Sequence, residues 1–396
     1  MIRLREPFSS KQLPDGRQLA IRRSDGGSLT MARISTFDDW TDYFRKWQKD
    51  LQIDPSVFGD YQFDTKFGQT CSDEIEFGDY KGRPRWETAL QIPDQRIRDS
   101  LLHLIVYQGD TEFASSEQQR NLLQRPPSAH DLQCAARVMR EEMRHGWQMA
   151  YLLIKYFGSS GKIEAQKLLD RRAFEGTRLL GAFNQEVRDW VDFYCYTSLI
   201  DRDGKYQLTM LTHSGFKPLA GSVTAMLKEE AFHLLTGYTG LSRIIRADRV
   251  PIPILQKHIN KWFSCALDLF GVDHSSSAHW FYVWGLKGRF DEDKADVPAD
   301  LDEINEMARQ QYVQEVGEII GALNRLVPAG QPLLTVPDHR FNRFVGDFAE
   351  KPYSVRGELL SSEAYARHRL EMLPGEADKK QLSEIFKERD WIFSVS

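Results

Sequence analysis

Two short motifs of the chain place a glutamate three residues before a histidine. The first, Arg-Glu-Glu-Met-Arg-His, contains Glu142 and His145, and the second, Lys-Glu-Glu-Ala-Phe-His, contains Glu230 and His233. Residues three apart lie on one face of an α-helix, so each pair can bind one metal ion from the same side. A single motif of this kind arises readily by chance on a surface helix, whereas two related motifs predict a site for two metal ions.

A further carboxylate precedes each motif at nearly the same distance. Glu112 lies thirty residues before Glu142, and Asp201 lies twenty-nine residues before Glu230. A pair of antiparallel helices with a connector would produce this spacing. In ferritin-like four-helix bundles, two helices carry Glu-x-x-His and the other two carry one carboxylate each, all directed inward. We therefore predict an all-α, ferritin-like bundle with a di-metal core, whose metal ligands are Glu112, Glu142, His145, Asp201, Glu230 and His233.

Apolar residues at helical spacing predict the four helices that hold these ligands. The first covers about residues 95–123, the second starts after the capping residue Ser128, the third covers about 183–201, and the fourth starts near Pro218. The predicted ligands interrupt otherwise apolar stripes on these helices. Because an unpaired buried charge is very unfavourable, such residues must be paired or bind a metal.

Two polar residues near the predicted ligands have alternative interpretations. Asp203 competes with Asp201 as a ligand, but it belongs to an Asp-Gly pair, which is a turn signal, so we predict that it ends the third helix. Gln108 lies one turn before Glu112 on the same face. It is a candidate either for a contact with the metal ligands or the substrate, or for a hydrogen-bonded buried amide.

Three neighbours of the motifs receive structural interpretations. Glu141 and Glu229 each precede a predicted ligand and point about a quarter-turn away from it, so they are expected to be solvated or paired with arginine or lysine. Gly237 lies one turn after His233. Close helix packing explains it better than an open channel beside the metals does.

The remaining sequence predicts three segments. Residues 1–95 form an N-terminal wrapping segment, with short strands before residue 36 and one amphipathic helix at 37–51. Residues 96–330 form the helical domain, which includes further helices after the bundle. Residues 331–396 form a C-terminal segment that packs back on the bundle.

Composition narrows the class of protein. The chain has 396 residues, of which 41% are hydrophobic, so it can bury a substantial core. A net charge of −5 does not support binding to nucleic acid or to an anionic membrane. The four cysteines form no Cys-x-x-Cys pair, and no run of about 20 apolar residues predicts a membrane helix. A cytoplasmic protein is the expectation.

The predicted ligand set indicates the chemistry. Carboxylate oxygens and imidazole nitrogens suit iron or manganese better than metals that prefer thiolates. Two such ions can activate dioxygen for the oxidation of an unreactive C–H bond or an aromatic ring, which no side chain can do alone. The sequence contains no nucleotide-binding loop, flavin fingerprint or cysteine spacing for an iron–sulfur cluster. An oxygenase of this kind would therefore receive its electrons from a separate reductase.

Several longer segments between about residues 75 and 345 resemble the benzoyl-CoA 2,3-epoxidase family, a relative of the phenylacetyl-CoA epoxidases. The matching segments are Phe77-Gly-Asp-Tyr-Lys-Gly, Gln108-Gly-Asp-Thr-Glu, Ser116-Glu-Gln-Gln-Arg, the two Glu-Glu-x-x-His motifs, Leu180-Gly-Ala-Phe-Asn, Asp201-Arg-Asp-Gly-Lys-Tyr-Gln-Leu and Leu267-Asp-Leu-Phe-Gly. The resemblance implies a di-iron centre bound by the six predicted ligands, with Gln108 near the iron. It also implies epoxidation of a CoA-activated aromatic ring, most simply that of benzoyl-CoA, by O2. NADPH electrons would arrive through a separate flavin and iron–sulfur reductase, and the oxygenase itself would be a monomer or homodimer.

The chain departs from the family pattern beside the metal ligands. Met143 stands where the family pattern has glycine, and Phe232 stands where it has a second histidine. These residues either make the pocket bulkier or pack away from it. Two alternative functions follow: a paralogous di-iron or iron–manganese oxygenase for a different aromatic or amine substrate, and a non-catalytic ferritin-like subunit that binds metal.

Overall fold

The amphipathic repeats of the sequence form α-helices in the computed structural model, which describes residues 34–294, 299–388 and 391–393. Within these ranges there is no β-strand, only isolated bridges. The predicted N-terminal strands fall largely on residues 1–33, outside the described residues. The helices are α1 (Phe37–Asp50), α2 (Gln95–Gln119), α3 (Ala129–Tyr156), α4 (Gly158–Asp170), α5 (Trp190–Thr212), α6 (Lys217–Ala247), α7 (Ile252–Leu269), α8 (Ser276–Val283), α9 (Glu306–Asn324), α10 (Ser362–Met372) and α11 (Glu376–Ile385). The predicted all-α class is confirmed.

Side-chain caps determine where the bundle helices begin. Ser128 caps α3 by accepting a hydrogen bond from the backbone N–H of Asp131 at 3.2 Å, as its sequence predicted. Asp189 caps α5 by accepting from the N–H groups of Val191 and Asp192. The predicted start of this helix at residue 183 was therefore too early, because the cap places the first turn at residue 190.

The third bundle helix continues past the Asp-Gly pair that was expected to end it. Helix α5 contains both Asp203 and Gly204 and ends only at Thr212. Tyr206 and Leu208, in the extension, are buried in the core. Burial of this extra length outweighs the cost of one glycine inside a helix, which is about 1 kcal/mol. The predicted helix end at Asp203 was wrong.

Helices α2, α3, α5 and α6 form the four-helix bundle, with the largest interfaces between α2 and α3 and between α5 and α6. Glycines allow close approach at both interfaces. A Cβ atom on Gly146 of α3 would lie 2.7 Å from the Phe113 ring of α2, and one on Gly237 of α6 would lie 2.5 Å from the Ser198 backbone nitrogen of α5. Gly237 thus serves close helix packing, as predicted.

Elements outside the bundle contact it and one another. Trp40 of α1 lies within the aromatic cluster around Phe113, and its indole N–H donates to the Ala165 carbonyl of α4 at 2.8 Å. Toward the other end of the chain, Lys257 of α7 forms an ion pair with Asp378 of α11 at 2.9 Å. The described residues from Ile34 onward form one compact unit. The predicted three-segment division of the chain stays a prediction.

The helices that carry the predicted ligands are not membrane-spanning segments. None of the helices among the described residues is both long enough and apolar enough to cross a bilayer.

Replacement of Gly240 tests the close packing of α5 and α6. A Cβ atom added at Gly240 would lie 2.0 Å from the Tyr194 ring. That ring cannot easily move away, because the Tyr194 hydroxyl donates to Asp131 at 2.5 Å. We expect Gly240→Ala to lower the free energy of unfolding by about 1–3 kcal/mol, measured by urea denaturation. Gly317→Ala on α9 is the matched control, because open space surrounds that position, and it should instead stabilise by about 0.5–1 kcal/mol. Equal effects of the two substitutions would contradict the packing argument.

Candidate metal centre

The structure brings all six predicted ligands together at the centre of the bundle. Helix α2 carries Glu112, α3 carries Glu142 and His145, α5 carries Asp201, and α6 carries Glu230 and His233. Each of the six residues is at most 6% exposed. Sequence spacing thus predicted which residues would meet in the interior.

The cluster contains two overlapping groups of possible metal ligands. Glu112, Glu142 and His145 form one, and Glu142, Asp201 and His233 form the other; within each group the potential ligand atoms lie within 4.8 Å of one another. Glu142 belongs to both groups, so it could contribute to holding either of two metal ions.

Glu230 occupies an equivalent central position. One of its carboxylate oxygens lies 3.5 Å from His145 Nδ1, and the other lies 3.2 Å from His233 Nδ1. Similarly, Glu142 Oε1 lies 3.4 Å from His233 Nδ1, on the opposite motif. The sequence suggested that each motif could bind its own metal. The geometry adds that the glutamate of each motif also faces the histidine of the other.

The outer nitrogen of each imidazole meets a carboxylate of the opposite motif. Glu229 Oε2 lies 2.8 Å from His145 Nε2, and Glu141 Oε2 lies 3.1 Å from His233 Nε2. When the ring is neutral, as in a metal complex, a carboxylate at Nε2 favours the tautomer with the proton on that nitrogen, so that Nδ1 can bind a metal ion. Such partners orient metal-binding histidines and increase their basicity.

Basic residues support these outer carboxylates. Arg144, fully buried, donates to Glu229, and Lys66 Nζ lies 2.9 Å from the same carboxylate. Arg137 Nε lies 2.9 Å from Glu141. The predicted pairing of both glutamates with arginine or lysine is confirmed, but sequence reasoning missed their contacts with the histidines. The repeated Glu-Glu pair in both motifs was the available signal.

Burial and mutual repulsion control the charge of the cluster. Burial raises the pKa of Glu142 well above its ordinary value, and the Glu112 carboxylate raises it further. Burial also raises the pKa of Asp201 well above its ordinary value. For His233, burial acts to lower the pKa, but Glu230 and other carboxylates outweigh burial and raise the pKa well above its ordinary value. Crowded carboxylates of this kind favour a cation among them.

Asp201 Oδ2 is buried without a hydrogen-bond partner among the described residues, and His233 Nδ1 makes no hydrogen bond of good geometry although a Glu230 oxygen lies 3.2 Å from it. Asp201 Oδ2 and His233 Nδ1 lie 3.9 Å apart and both face the cluster. A buried polar atom without a partner is costly, and a metal ion would satisfy both. Oxygen and imidazole nitrogen are also the ligand types that iron and manganese prefer. The residues present therefore fit a pair of such ions.

A cavity of about 260 Å³ adjoins the cluster. Glu112, Glu142, Asp201 and Glu230 contribute to its wall. Most of the remaining surface is apolar and comes from Leu104, Leu180, Phe183, Ile200, Leu208, Leu211, Leu269 and Phe281. The cavity gives an apolar molecule access to the carboxylate cluster.

Two polar residues with alternative interpretations in the sequence, Gln108 and Asp203, both lie in the cavity wall. Gln108 lines the cavity and its amide donates to Glu112, so it is both a cavity residue and a hydrogen-bonded amide. Asp203 lines the cavity but accepts a hydrogen bond from Gln207 at 3.0 Å, outside both groups of possible ligands. Tyr196 and Lys287 also line it, and sequence reasoning missed both.

The two departures from the family pattern lie away from the described cavity wall. Met143 is fully buried in the core beside Gln48, whose amide lies 3.5 Å from the Met143 sulfur. The Phe232 ring stacks under the Arg137 guanidinium, 3.7 Å from the ring centroid. Both residues therefore serve packing, and neither narrows the described cavity.

The bundle and its buried cluster define the class of protein, which is an all-α, ferritin-like protein with a carboxylate and histidine site able to hold metal ions. A sequence model of the phenylacetic acid catabolic protein family matches residues 86–337, a range that contains the four bundle helices and all six clustered residues. The chain belongs to this family.

Two curated relatives are oxygenase or epoxidase parts. The chain is 34% identical over 385 residues to benzoyl-CoA oxygenase component B of Aromatoleum evansii, covering 83% of this chain and 80% of the relative. It is 24% identical over 220 residues to one subunit of the 1,2-phenylacetyl-CoA epoxidase of Escherichia coli strain K12, covering 54% of this chain and 69% of the relative. With this family membership, the chain is an oxygenase-like enzyme.

The outer carboxylates can be tested without touching a predicted ligand. We expect Glu229→Gln and Glu141→Gln each to weaken binding of Fe²⁺ or Co²⁺ by about 10- to 100-fold, because each removes the charge that orients a histidine. Calorimetric metal titration measures the affinity. Glu371→Gln on the exposed face of α10 is the control. An unchanged affinity in both test variants would refute an orienting role.

Proposed function

We propose that this chain is the oxygenase component of a di-iron monooxygenase that epoxidises the aromatic ring of an aryl-CoA thioester. The most direct substrate is benzoyl-CoA, with its 2,3-epoxide as the product. The observation that carries the proposal is the position of six buried oxygen and nitrogen ligands beside an apolar cavity, with the four carboxylates in its wall. The name of the Aromatoleum relative, which is a benzoyl-CoA oxygenase component, supports the choice of substrate.

The six side chains divide into three roles toward the two iron ions. Glu112 and His145 would hold one ion, and Asp201 and His233 would hold the other. The remaining two side chains, Glu142 and Glu230, would contribute to holding either ion, because Glu142 belongs to both groups of possible ligands and Glu230 faces both imidazoles. When bound, the iron pair would supply the activation of O2 and the two-electron oxidation that side chains cannot provide.

The protein's own residues position the substrate and exclude water. The cavity volume of about 260 Å³ exceeds the roughly 150 Å³ of an engineered apolar cavity that binds benzene. It can therefore hold one aromatic ring with a short substituent, and the much larger CoA moiety must extend outside. The apolar wall made by residues such as Phe183 and Ile200 would hold the ring and keep bulk water from the cluster.

Other residues would keep the ligands in place during the reaction. Glu229 and Glu141 fix the orientation of the two imidazoles, and the Gln108 amide holds Glu112. Ligands preorganised in this way need little rearrangement as charge changes at the centre.

Electrons would come from NADPH through a separate flavin and iron–sulfur reductase. The chain's sequence has no flavin fingerprint and no cysteine spacing for an iron–sulfur cluster, so it needs an external donor. The names of the two relatives, an oxygenase component and an epoxidase subunit, describe parts of larger systems and support this division of work.

Metal loading tests the ligand assignment. We expect purified wild-type protein to bind about two irons per chain. His145→Ala and Glu230→Ala should lose iron while they retain the helical circular dichroism spectrum, because the apolar core that holds the helices together contains neither residue. Asp201→Ala should lower the iron content as His145→Ala does, since each removes a ligand from one of the two groups. Unchanged iron content in these variants would refute the ligand assignment. Wild-type protein without iron would favour the alternative of a non-catalytic ferritin-like subunit.

Substrate-dependent oxygen consumption tests the reaction. With a suitable reductase and NADPH, we expect the iron-loaded protein to consume O2 in step with benzoyl-CoA and to be inactive with free benzoate, because the acyl-CoA is needed for productive binding. An oxygen electrode and product mass spectrometry provide the measurement. Equal turnover of both compounds would contradict the CoA-ester assignment, and turnover of a different aromatic or an amine alone would favour the paralogous oxygenase.

A further inference from the structure

The cavity has one positively charged residue in its described lining. Of the lining residues that the structure describes, only Lys287 carries a cationic side chain. Its Nζ atom donates to Gln207 Oε1 at 2.7 Å, and the Gln207 amide in turn donates to Asp203 at 3.0 Å. Gln207 is the only hydrogen-bond acceptor of this ammonium among the described residues, so two of its three N–H donors are available to a ligand.

The backbone around Lys287 is fixed against the bundle. Its own N–H donates to the Phe281 carbonyl at 3.1 Å, and the next N–H, of Gly288, donates to the Met210 carbonyl of α5 at 3.2 Å. The backbone of Lys287 is therefore fixed in position, and the hydrogen bond to Gln207 fixes the position of its Nζ atom. This arrangement is preorganised for one ligand group.

Lys287 lies beside Gln207 on a part of the cavity wall away from the carboxylate cluster. It is partly exposed, as are Gln207 and Phe281, whereas the deeper wall contains the fully buried side chain of Tyr196 and the carboxylate cluster. Gln207 follows Asp201 by six residues on α5, which corresponds to about 9 Å of helix rise. A ring beside the carboxylate cluster would thus carry its substituent toward Lys287.

Several other donors in the cavity are engaged or lie deeper, whereas the hydroxyl of Tyr107 belongs to a side chain that is 41% exposed. The Gln108 amide donates to Glu112, and the Thr111 hydroxyl donates to the Gln108 carbonyl at 2.7 Å. The Tyr196 hydroxyl has no partner among the described residues, but it precedes Asp201 on α5 and so lies toward the opposite end of the cavity from Gln207. Lys287 is therefore the one cationic donor in the described lining that has N–H groups free for a ligand.

We propose that Lys287 is a positioning residue that donates a hydrogen bond to the thioester carbonyl oxygen of the aryl-CoA substrate. This inference rests on the proposed function and adds the group that recognises the thioester. The carbonyl joins the ring to the CoA chain, so it must lie near a partly exposed part of the cavity wall if the ring is inside and CoA is outside. Burial lowers the pKa of Lys287 to about 8, so the ammonium is still mainly protonated at pH 7.

A pair of ligands that differ only at the carbonyl tests this role. Iron-loaded oxidised protein, without reductase, is titrated with benzoyl-CoA and with S-benzyl-CoA, whose CH2 group replaces the carbonyl. We expect wild type to prefer benzoyl-CoA by about 10- to 100-fold, the contribution of one hydrogen bond from a charged donor. Lys287→Met should lose this preference with unchanged affinity for S-benzyl-CoA, and Lys287→Arg should retain part of it. Lys379→Met, at an exposed site on α11, is the matched control.

The carbonyl stretching frequency provides a second readout that a purely structural role would not change. With ¹³C-carbonyl benzoyl-CoA, the bound C=O band should lie at lower frequency in wild type than in Lys287→Met, because hydrogen bonding weakens the C=O bond. Iron content, measured in parallel, should be equal in both proteins.

The remaining outcomes separate failure of this inference from failure of the proposed function. An equal loss of affinity for both CoA compounds in Lys287→Met, or no change for either, would overturn the inference and leave the proposed function in place. Wild type that binds neither compound would overturn the proposed function and this inference together. Tight binding of free benzoate that depends on Lys287 would assign the lysine to a carboxylate and overturn the thioester assignment.

Discussion

The burial of four carboxylates beside two imidazoles is the constraint on which the rest of the structure depends. Such a cluster is costly in an apolar bundle unless every charge has a partner. The structure arranges charges in successive layers: an inner carboxylate, an imidazole, an outer carboxylate such as Glu229, and a buried cation such as Arg144. The charge of each layer is balanced by the opposite charge of the next layer. The inner carboxylates remain able to bind metal ions.

Close helix packing makes this layered arrangement possible. Glycines at the two main interfaces let α6 approach the backbone of α5 and let α3 approach the Phe113 ring of α2. The glutamate of one motif can then reach the histidine of the other, as the 3.4 Å distance from Glu142 to His233 illustrates. The same interfaces bury the six residues to at most 6% exposure, which strengthens the electrostatic interactions among them. Packing and chemistry are therefore coupled at these positions.

The cavity combines an apolar interior with polar groups at two parts of its wall. Its inner wall is the carboxylate cluster, and farther along the wall the buried Asp203 is connected through Gln207 to Lys287, both of which are partly exposed. A ligand that spans both must have an apolar body with a polar group on the side that faces solvent. An aryl thioester has this form. In the proposed function its ring lies beside the carboxylate cluster, and in the proposed role of Lys287 its carbonyl oxygen lies near that lysine.

The sequence by itself determined the helical fold and which six residues would meet, because helical periodicity and ligand spacing are local properties of the chain. Local signals failed where burial over longer distances decided the outcome: α5 continues through Gly204 because Tyr206 and Leu208 are buried beyond it. Only the tertiary structure decided that Glu141 and Glu229 face the histidines of opposite motifs and that Lys287 meets Gln207, 80 residues away. Such contacts depend on how helices cross and rotate against one another, which follows from the packing of the whole core.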